Sequence, residues 1–410
     1  MSRAEPPTRA PTGRVELLIR GSQGPDGGGD FDIVSPDAGQ AFLRMRPMRV
    51  RAVTLEENPI DEADGRVWVV RVNLGDTERY VKLNERERYL FVHMDGMHTI
   101  QDLALAVVMR FHSFDLDEVS RFLKRAHKLG IVDIRKPGML RHRDVRDPTV
   151  LGRAYRRLLS LERRWTGVDG FFRALNQVVG WMLSGRAVAA SAPAVVVGLL
   201  AWALLRAGGA LQGAPLGMLA SIVVVLVGLV LFALPHELAH GIACRRWGRK
   251  VKSVGISFLD GLVPSVYVDV SDMLMSTPGG RVAVHLAGPW VNLLAAGILG
   301  MAAWLVPTPV LRQVLVLLAD SNLLLAAYTL WPFHGLEEDG YHALVDLTRV
   351  SAIRERSSAL VRSWFSPKRR PEMSVRSLRV VRIYLFGRIA TWAVGGLALG
   401  WAARTVVLGM

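Results

Sequence analysis

Long apolar runs beyond residue 186 constrain this chain more than any other feature of its sequence. A helix needs about 20 predominantly apolar residues to cross the hydrocarbon core of a bilayer. Two of the runs, Ala187–Leu205 and Ala214–Pro235, carry no charged residue at all. Their length and composition predict that the second half of the protein is a bundle of membrane-spanning helices.

Three more runs raise the expected number of spans to about five. They are Val282–Pro307, Val314–Phe333 and Leu385–Ala403. Each contains an ionisable residue, namely His285, Asp320 or Arg388 in that order. Because ionisable groups are costly inside a membrane, His285 and Asp320 are candidates for a functional role, although the sequence assigns none to either.

Basic residues predict how the bundle is oriented. The protein has 51 Lys and Arg against 36 Asp and Glu, a formal net charge of +15. Segments 245–281 and 342–382 hold six and ten of these basic residues, whereas each candidate outer segment holds one. Since Lys and Arg concentrate in cytoplasmic loops, both segments and the basic N-terminal region are expected on the cytoplasmic side. The positive charge then belongs to a membrane protein, and we expect the lipid bilayer and no nucleic acid as a partner.

The N-terminal third of the sequence predicts a small soluble domain behind a disordered leader. Residues 1–40 are rich in Pro, Gly, Arg and Asp, as is typical of disorder, and they lack the pattern of a cleavable signal peptide. Residues 41–136 predict strands followed by three short helices, an α+β winged-helix-like module. The strands are expected at Arg49–Leu55, Arg66–Val72 and Arg79–Leu83, and the helices at Glu85–His93, Thr99–Phe111 and Asp115–Leu129.

Residues 145–186 mix Arg with aromatic and aliphatic residues just before the first span. This composition predicts a basic amphipathic segment lying on the anionic face of the membrane, with a plain soluble linker helix as the alternative. The predicted fold is therefore mainly α. A polytopic membrane helix bundle at 187–410 follows an N-terminal α+β domain.

The chemistry centres on His236-Glu237-Leu238-Ala239-His240, directly after the second apolar run. Residues four apart lie on one face of a helix, so both imidazoles can bind one Zn²⁺ ion. Glu237 beside them can act as general base, taking a proton from zinc-activated water and returning it to the leaving amine. A carboxylate at membrane depth is costly, and a metal site accounts for that cost. Pro235 is expected to bend or restart the helix at this point.

A catalytic zinc usually has three protein ligands, and the third must come from elsewhere in the chain. Cys244 is eight residues beyond His236, about 12 Å along a helix axis, which is too far to share the metal. This single cysteine also excludes an intramolecular disulfide and is expected to be a small buried apolar residue. The remaining candidates follow the fourth span, and they are His334, Glu337, Glu338 and Asp339.

These motifs together resemble the site-2 protease family of intramembrane zinc metalloproteases, especially its peptide-maturation branch. The matching stretches are His236–Gly241, Gly288-Pro289-Trp290-Val291-Asn292 and Asp339–Asp346, in the family's order. The resemblance implies zinc ligands at His236, His240 and Asp339, with Glu237 as general base and Asn292 as a polar contact to substrate. A helix-to-helix hydrogen bond is the alternative for Asn292. Residues 250–278 resemble the family's membrane-associated hairpin, which can guide an extended substrate.

The chain departs from the family pattern in two places. Thr329 stands where the family usually has Asn, and the spacing from Pro332 to Asp339 is two residues longer than usual. Both departures concern the third ligand and leave the first two unaffected.

Residues 81–86 and 94–100 make the N-terminal domain resemble the PqqD-like modules, or RiPP recognition elements, that bind precursor peptides. The alternative is a generic winged helix without a peptide ligand. Together the two resemblances imply a multi-pass protease of a cell membrane, such as a bacterial inner membrane, that cleaves a membrane-associated or precursor peptide. The alternative function is a peptide-binding membrane protein for export or immunity, without proteolysis.

Overall fold

A computed structural model describes residues 42–50, 55–73, 78–112, 116–135, 163–208, 215–259, 263–365 and 373–408. The expected leader at 1–40 and the part of the amphipathic segment before residue 163 lie outside these ranges. Within them the protein is mainly helical, with a small N-terminal region that contains β-sheet. This agrees with the fold class expected from the sequence.

Strands and short helices make up the chain as far as Arg135. The strands are β1 (Arg46–Arg49), β2 (Leu55–Glu62), β3 (Gly65–Asn73), β4 (Glu78–Asn84) and β5 (Val132–Arg135). The helices are α1 (Glu85–His93), α2 (Ile100–Phe111) and α3 (Leu116–Lys128). β1 pairs antiparallel with β5, while β2, β3 and β4 form a separate three-stranded sheet in that order. Most of the first strand expected at Arg49–Leu55 lies outside the described residues, while Arg49 ends β1 and Leu55 begins β2.

Local sequence fixes where these helices begin. Asn84 and Glu87 form a reciprocal capping box at the start of α1, and Thr99 and Asp102 form another at α2. A capping box satisfies backbone N–H groups that have no partner inside the helix. The apolar faces of α1, α2 and α3 supply large buried side chains, including Phe91, Leu103 and Phe122.

Two compact units divide the chain. The N-terminal unit comprises residues 1–55, 72–79 and 83–148, and the membrane unit comprises residues 56–71, 80–82 and 149–410. The middle of the β2–β3–β4 sheet thus groups with the helices that follow it. The soluble domain expected at 41–136 contains segments from both units.

Contacts inside the membrane unit account for this grouping. Asp272 is buried and accepts hydrogen bonds from the Tyr80 hydroxyl at 2.7 Å and from the Lys250 N–H at 2.9 Å. The Asn58 amide donates to the carbonyl oxygens of Leu274 and Ser276, each at 3.2 Å. These bonds fasten the sheet to the short 3₁₀ helix Ser271–Met275.

Five helices in the described part of the chain are long and apolar enough to cross a membrane, as expected. They are α5 (Gly185–Ala207), α6 (Met218–Arg246), α7 (Pro278–Leu305), α8 (Pro309–Leu330) and α11 (Val375–Leu408), whose candidate span is Val375–Ala398. Large apolar side chains such as Leu219, Val230 and Ile298 are exposed on them, a surface suited to lipid. α6 does not restart at Pro235, because the helix continues unbroken through that residue. Membrane helices tolerate proline where neighbouring groups satisfy the freed carbonyl.

Small residues and one ion pair join neighbouring spans. A side chain at Gly198 of α5 would overlap the backbone of Gly297 in α7, so the two helices approach at backbone contact. Asp320 accepts a hydrogen bond from the Trp202 indole at 2.8 Å and pairs with Arg206. Asp320 therefore has a structural partner, which the sequence did not reveal.

The remaining elements precede α5 or follow α6 and α8 along the chain. They are β6 (Arg163–Thr166), α4 (Asp169–Val179), a 3₁₀ turn (Gly180–Leu183), β7 (Ser253–Leu259), β8 (Val263–Asp269), α9 (Asp339–Thr348) and α10 (Ile353–Phe365). β7 and β8 form the expected hairpin, and β6 adds to the β7 side in an antiparallel register. Phe172 of α4 is fully buried against α6, where it contacts the position of Gly241.

Candidate metal centre

Two imidazoles on α6 converge on one point. His236 and His240 are one helical turn apart and both are buried. Their Nε2 atoms lie 3.1 Å from each other, and the two rings meet edge to face. The expected i, i+4 arrangement is therefore present, with both Nε2 atoms directed to the same place.

Groups on α7 form hydrogen bonds with the Nδ1 atom of each ring. His240 Nδ1 lies 2.7 Å from the carbonyl oxygen of Val284. A carbonyl can only accept, so Nδ1 carries a proton, and the neutral form of this ring has its lone pair on Nε2. His236 Nδ1 lies 2.9 Å from the side-chain amide of Asn292, which is fully buried. The helix-to-helix contact weighed for Asn292 is thus present, and its partner is a ring of the candidate centre.

A glycine on α7 makes room for the imidazoles. A Cβ atom at Gly288 would lie 2.5 Å from His240 Nε2 and 2.6 Å from His236 Nε2. Real Cβ atoms are not found so close to other atoms, and any side chain at 288 would occupy the space in front of both rings. The glycine of the Gly288–Asn292 motif therefore has a steric explanation.

Asp339 completes the cluster from the start of α9. Its Oδ2 atom lies 3.1 Å from His236 Nε2 and 3.4 Å from His240 Nε2. Burial acts to raise the pKa of Asp339, but the His240 and His236 imidazoles outweigh it and hold the pKa below its ordinary value. Gly340 allows this approach, because a side chain there would overlap the carbonyl oxygen of Leu330 at the end of α8.

The other acidic and imidazole groups of this segment have different partners. Glu337 pairs with Arg354 at 2.9 Å, and Glu338 accepts a hydrogen bond from the Tyr328 hydroxyl at 3.2 Å. His334 contacts the carbonyl oxygen of Tyr328 at 3.0 Å. Of the four candidates for a third ligand, Asp339 is the one whose oxygen lies against both imidazoles.

Glu237 lies beside the imidazoles on the same helix. Its carboxylate and the two imidazoles offer ligand atoms within 4.8 Å of one another. Its Oε2 atom accepts a hydrogen bond of 3.0 Å from the backbone N–H of Val268 in β8. The hairpin therefore fixes the orientation of this carboxylate. Cys244 is buried with its thiol near the carbonyl oxygen of Lys250, as expected for a small apolar residue.

A second polar cluster joins α7 to α9 next to the centre. Asp346 accepts from the Arg281 guanidinium at 2.8 Å and lies 3.4 Å from His285 Nε2. The His285 ring stacks on the His342 ring with centroids 5.2 Å apart. Burial and the neighbouring His285 lower the pKa of His342. The sequence singles out His285 but does not identify these partners, since they lie on a different helix far along the chain.

The donor set and its spacing fit zinc. Tetrahedral zinc with bonds of about 2.0–2.1 Å separates adjacent ligand atoms by about 3.3–3.4 Å. The three atom pairs here measure 3.1, 3.1 and 3.4 Å. As a ligand, His236 must carry its proton on Nδ1, which the Asn292 oxygen can accept once the amide group is flipped. While the amide nitrogen faces His236, the Asn292 oxygen is buried and has no hydrogen-bond partner among the described residues.

The chain is similar to one protein family and to two individual proteins. The profile of peptidase family M50 matches residues 222–382. A Synechocystis sp. protein named "Putative zinc metalloprotease" is 28% identical over 180 residues, which cover 42% of this chain and 44% of that protein. An uncharacterized protein of Methanocaldococcus jannaschii is 39% identical over 70 residues, 17% of this chain and 19% of that protein.

The chain spans less than half the length of either relative. No solved structure matches it. The matched segment starts inside α6 and ends inside α11, so it includes both imidazoles, Glu237, Asn292 and Asp339. The stretch 222–382, which contains every group of the candidate centre, is therefore similar to peptidase family M50.

Proposed function

We propose that this protein is a membrane-embedded zinc metalloendopeptidase of the site-2 protease type. His236, His240 and Asp339 hold the metal, and Glu237 is the general base. The observation that carries the proposal is the convergence of three ligand atoms from α6 and α9 at 3.1–3.4 Å. The partly buried carboxylate of Glu237 lies directly beside them.

The residues around the centre divide the work of peptide hydrolysis. Bound zinc supplies a Lewis acid that polarises the scissile carbonyl and makes water a stronger nucleophile at neutral pH. Glu237 takes the proton of the attacking water and passes it to the leaving amine. Val284 and Asn292 keep the two imidazoles oriented, a role that commonly matters nearly as much as the ligands themselves. Because Asn292 is fully buried, we assign it to this orienting role in preference to a contact with substrate.

The substrate is a membrane-associated or precursor peptide. In the described part of the chain, β8 is an edge strand of its sheet, and one of its N–H groups already reaches Glu237. An extended peptide that adds to such an edge is presented to the centre in the conformation a protease cleaves. Residues 41–136 are a PqqD-like domain on the cytoplasmic side that captures the precursor.

A comparison of two substitutions tests the mechanism. Glu237→Gln removes the proton carrier but neither imidazole, so we expect zinc content to stay at the wild-type level while kcat falls by about 10²–10⁴-fold. His236→Ala should lose both zinc and activity. Zinc is measured by mass spectrometry of the metal, and cleavage with an unfolded reporter peptide in proteoliposomes. Glu338→Gln serves as the matched control, and wild-type turnover by Glu237→Gln would remove Glu237 from the mechanism.

The third ligand is tested in the same assay. Asp339→Ala should lower zinc affinity more than Glu337→Ala or Glu338→Ala, because of these three carboxylates Asp339 is the one whose oxygen lies 3.1 and 3.4 Å from the two imidazoles. A larger loss from either glutamate would transfer the ligand role to that residue.

A further inference from the structure

A groove runs along α7, beside the residues of this helix that face the candidate metal centre. Its volume is about 790 Å³. Val284 and Asn292 of α7 contact the imidazoles and Gly288 leaves space for them, whereas other residues of the same helix line the groove. The lining residues from α7 are Ala283, Leu286, Ala287, Pro289, Trp290 and Leu293.

The groove has the depth of one membrane leaflet. From Ala283 to Leu293 the helix rises about 15 Å, half of the roughly 30 Å hydrocarbon core. Gly185, which begins α5, and Arg246, which ends α6, also line the groove. These helix ends lie on the side of the membrane where the imidazoles are found. The groove therefore opens in the leaflet nearest the catalytic side.

Basic and aromatic residues stand at the end of the groove that faces the aqueous phase. Arg246 and Trp247 line it there, and Arg186 follows Gly185. Arg186 and Arg246 are exposed, and their guanidinium groups form no hydrogen bond or ion pair with the residues that the structure describes. Among the described residues that line the groove, none is acidic. Arginine and tryptophan above an apolar surface are typical of the level where lipid head groups lie.

We propose that this groove binds one anionic phospholipid. The phosphate meets Arg246 and Arg186, and an acyl chain lies along Val188, Leu286 and Leu293. The length of the groove favours a lipid over the transmembrane helix of a substrate. Such a helix needs about 20 residues across both leaflets, whereas the groove covers one.

A bound lipid would stabilise the helix that orients the two imidazoles. It would pack against the residues of α7 that line the groove, while Val284 and Asn292 of the same helix contact His240 and His236. We therefore expect anionic lipid to raise the thermal-unfolding midpoint of the full-length protein, and neutral lipid to have a smaller effect. This expectation does not depend on proteolysis, so it can be tested even if Glu237 proves to have another role.

The test uses the full-length protein and measures lipid retention by native mass spectrometry. Detergent-solubilised protein is mixed with palmitoyl-oleoyl phosphatidylglycerol or the corresponding phosphatidylcholine. We expect one phosphatidylglycerol per chain, bound at least tenfold more tightly than phosphatidylcholine. Arg246→Gln should remove this preference, and Arg379→Gln, an exposed arginine at the start of α11, should keep it.

A second variant tests the shape of the groove separately from the charge of its arginines. Ala283→Phe fills the groove without changing any charged residue and should lower retention of both lipids, with zinc content reporting that the protein is folded. Equal retention of the two lipids by the wild type, or an equal loss in Arg246→Gln and Arg379→Gln, would overturn the proposal. The proposal would also be overturned if a photoreactive residue placed at Val188 crosslinked to peptide and to no lipid.

Discussion

His236 is oriented by a residue that is distant in the sequence. The Asn292 amide lies 2.9 Å from Nδ1, on the side of the ring opposite the candidate metal position. Partners of this kind fix the tautomer and the direction of a ligand, and their loss typically costs 10–100-fold in metal affinity. We therefore count Asn292 as part of the candidate metal centre, although it is not one of the proposed ligands.

This assignment predicts the effect of Asn292→Ala. We expect zinc affinity, measured by competition with a chelator, to fall about 10–100-fold. Asn322→Ala is a matched control, because Asn322 is also a buried span asparagine but donates to the carbonyl oxygen of Leu318. If the two variants lose zinc equally, the effect of Asn292 is general destabilisation.

Gly288 gives a steric prediction. Gly288→Ala places a methyl group about where both imidazoles direct their Nε2 atoms, so we expect loss of zinc and of cleavage. Gly279→Ala on the same helix meets nothing within 4 Å and should leave both unchanged. Wild-type zinc content in Gly288→Ala, measured on the purified protein, would show that α7 can retreat from α6.

At the scale of single residues, the sequence predicts the site where the functional residues are close together along one helix. His236, Glu237 and His240 lie within about one helical turn, so one pattern in one element predicts their proximity. Asp339 could be separated from three rivals only by resemblance, since all four lie close together in one segment. The Asp346 contacts with Arg281 and His285 could not be predicted, because they depend on how two helices pack.

Among the elements, the hairpin formed by β2 and β3 is joined to α10 and α11 through its turn. Asp64 accepts hydrogen bonds of 2.8 Å from the Ser374 N–H and from the Ser377 hydroxyl, and it pairs with Arg356. Ser374 directly precedes α11. Asp64 thus acts as a capping group for the fifth span, supplied by a segment from near the other end of the chain.

We expect Asp64→Ala to loosen this attachment. Losing a helix cap costs about 1 kcal/mol, which for a protein of this size corresponds to a fall of about 1–2 °C in the thermal-unfolding midpoint. Asp61→Ala is the control, since Asp61 pairs with Arg66 at an exposed position of the same hairpin. A midpoint lowered as much by Asp61→Ala would contradict a specific role for the turn.

The same variant has a predicted pH dependence. Burial acts to raise the pKa of Asp64, but the Ser374 backbone N–H, Arg356 and Ser377 outweigh it and lower the pKa from 3.8 to about 2. A carboxylate with a lowered folded-state pKa stabilises the protein above its ordinary pKa, and the benefit disappears as pH falls. The difference between wild type and Asp64→Ala should therefore shrink between about pH 4 and pH 2.

Helices were predicted correctly from the sequence where their own residues determine them. The five spans and α1 to α3 follow apolar periodicity and capping residues, and their ends differ from expectation mainly where helices extend beyond the apolar run. β6 was not predicted, because Arg163–Thr166 carries no strand pattern of its own and takes its conformation by pairing with β7. Tertiary context commonly overrides local preference in strands.

For the whole molecule, the count of Lys and Arg predicts which loops face the cytoplasm. The single cysteine makes this measurable, because Cys244→Ala gives a background without cysteine. In intact cells, a membrane-impermeant maleimide should label a cysteine at Thr308, between α7 and α8. It should not label one at Lys250, which is exposed on the proposed cytoplasmic side. The reverse pattern would invert the topology.

The grouping of residues 56–71 and 80–82 with the membrane unit has a consequence for how such proteins diversify. A recombination event that exchanged the chain up to Pro148 as one cassette would also remove Tyr80 and Asp64, leaving the buried Asp272 and the start of α11 without these partners. If the N-terminal region captures the precursor as proposed, new specificity is then more accessible through substitutions within 83–148, which belong to the N-terminal unit alone. Lineages of this architecture should therefore show their recognition segments changing residue by residue instead of being shuffled as whole domains.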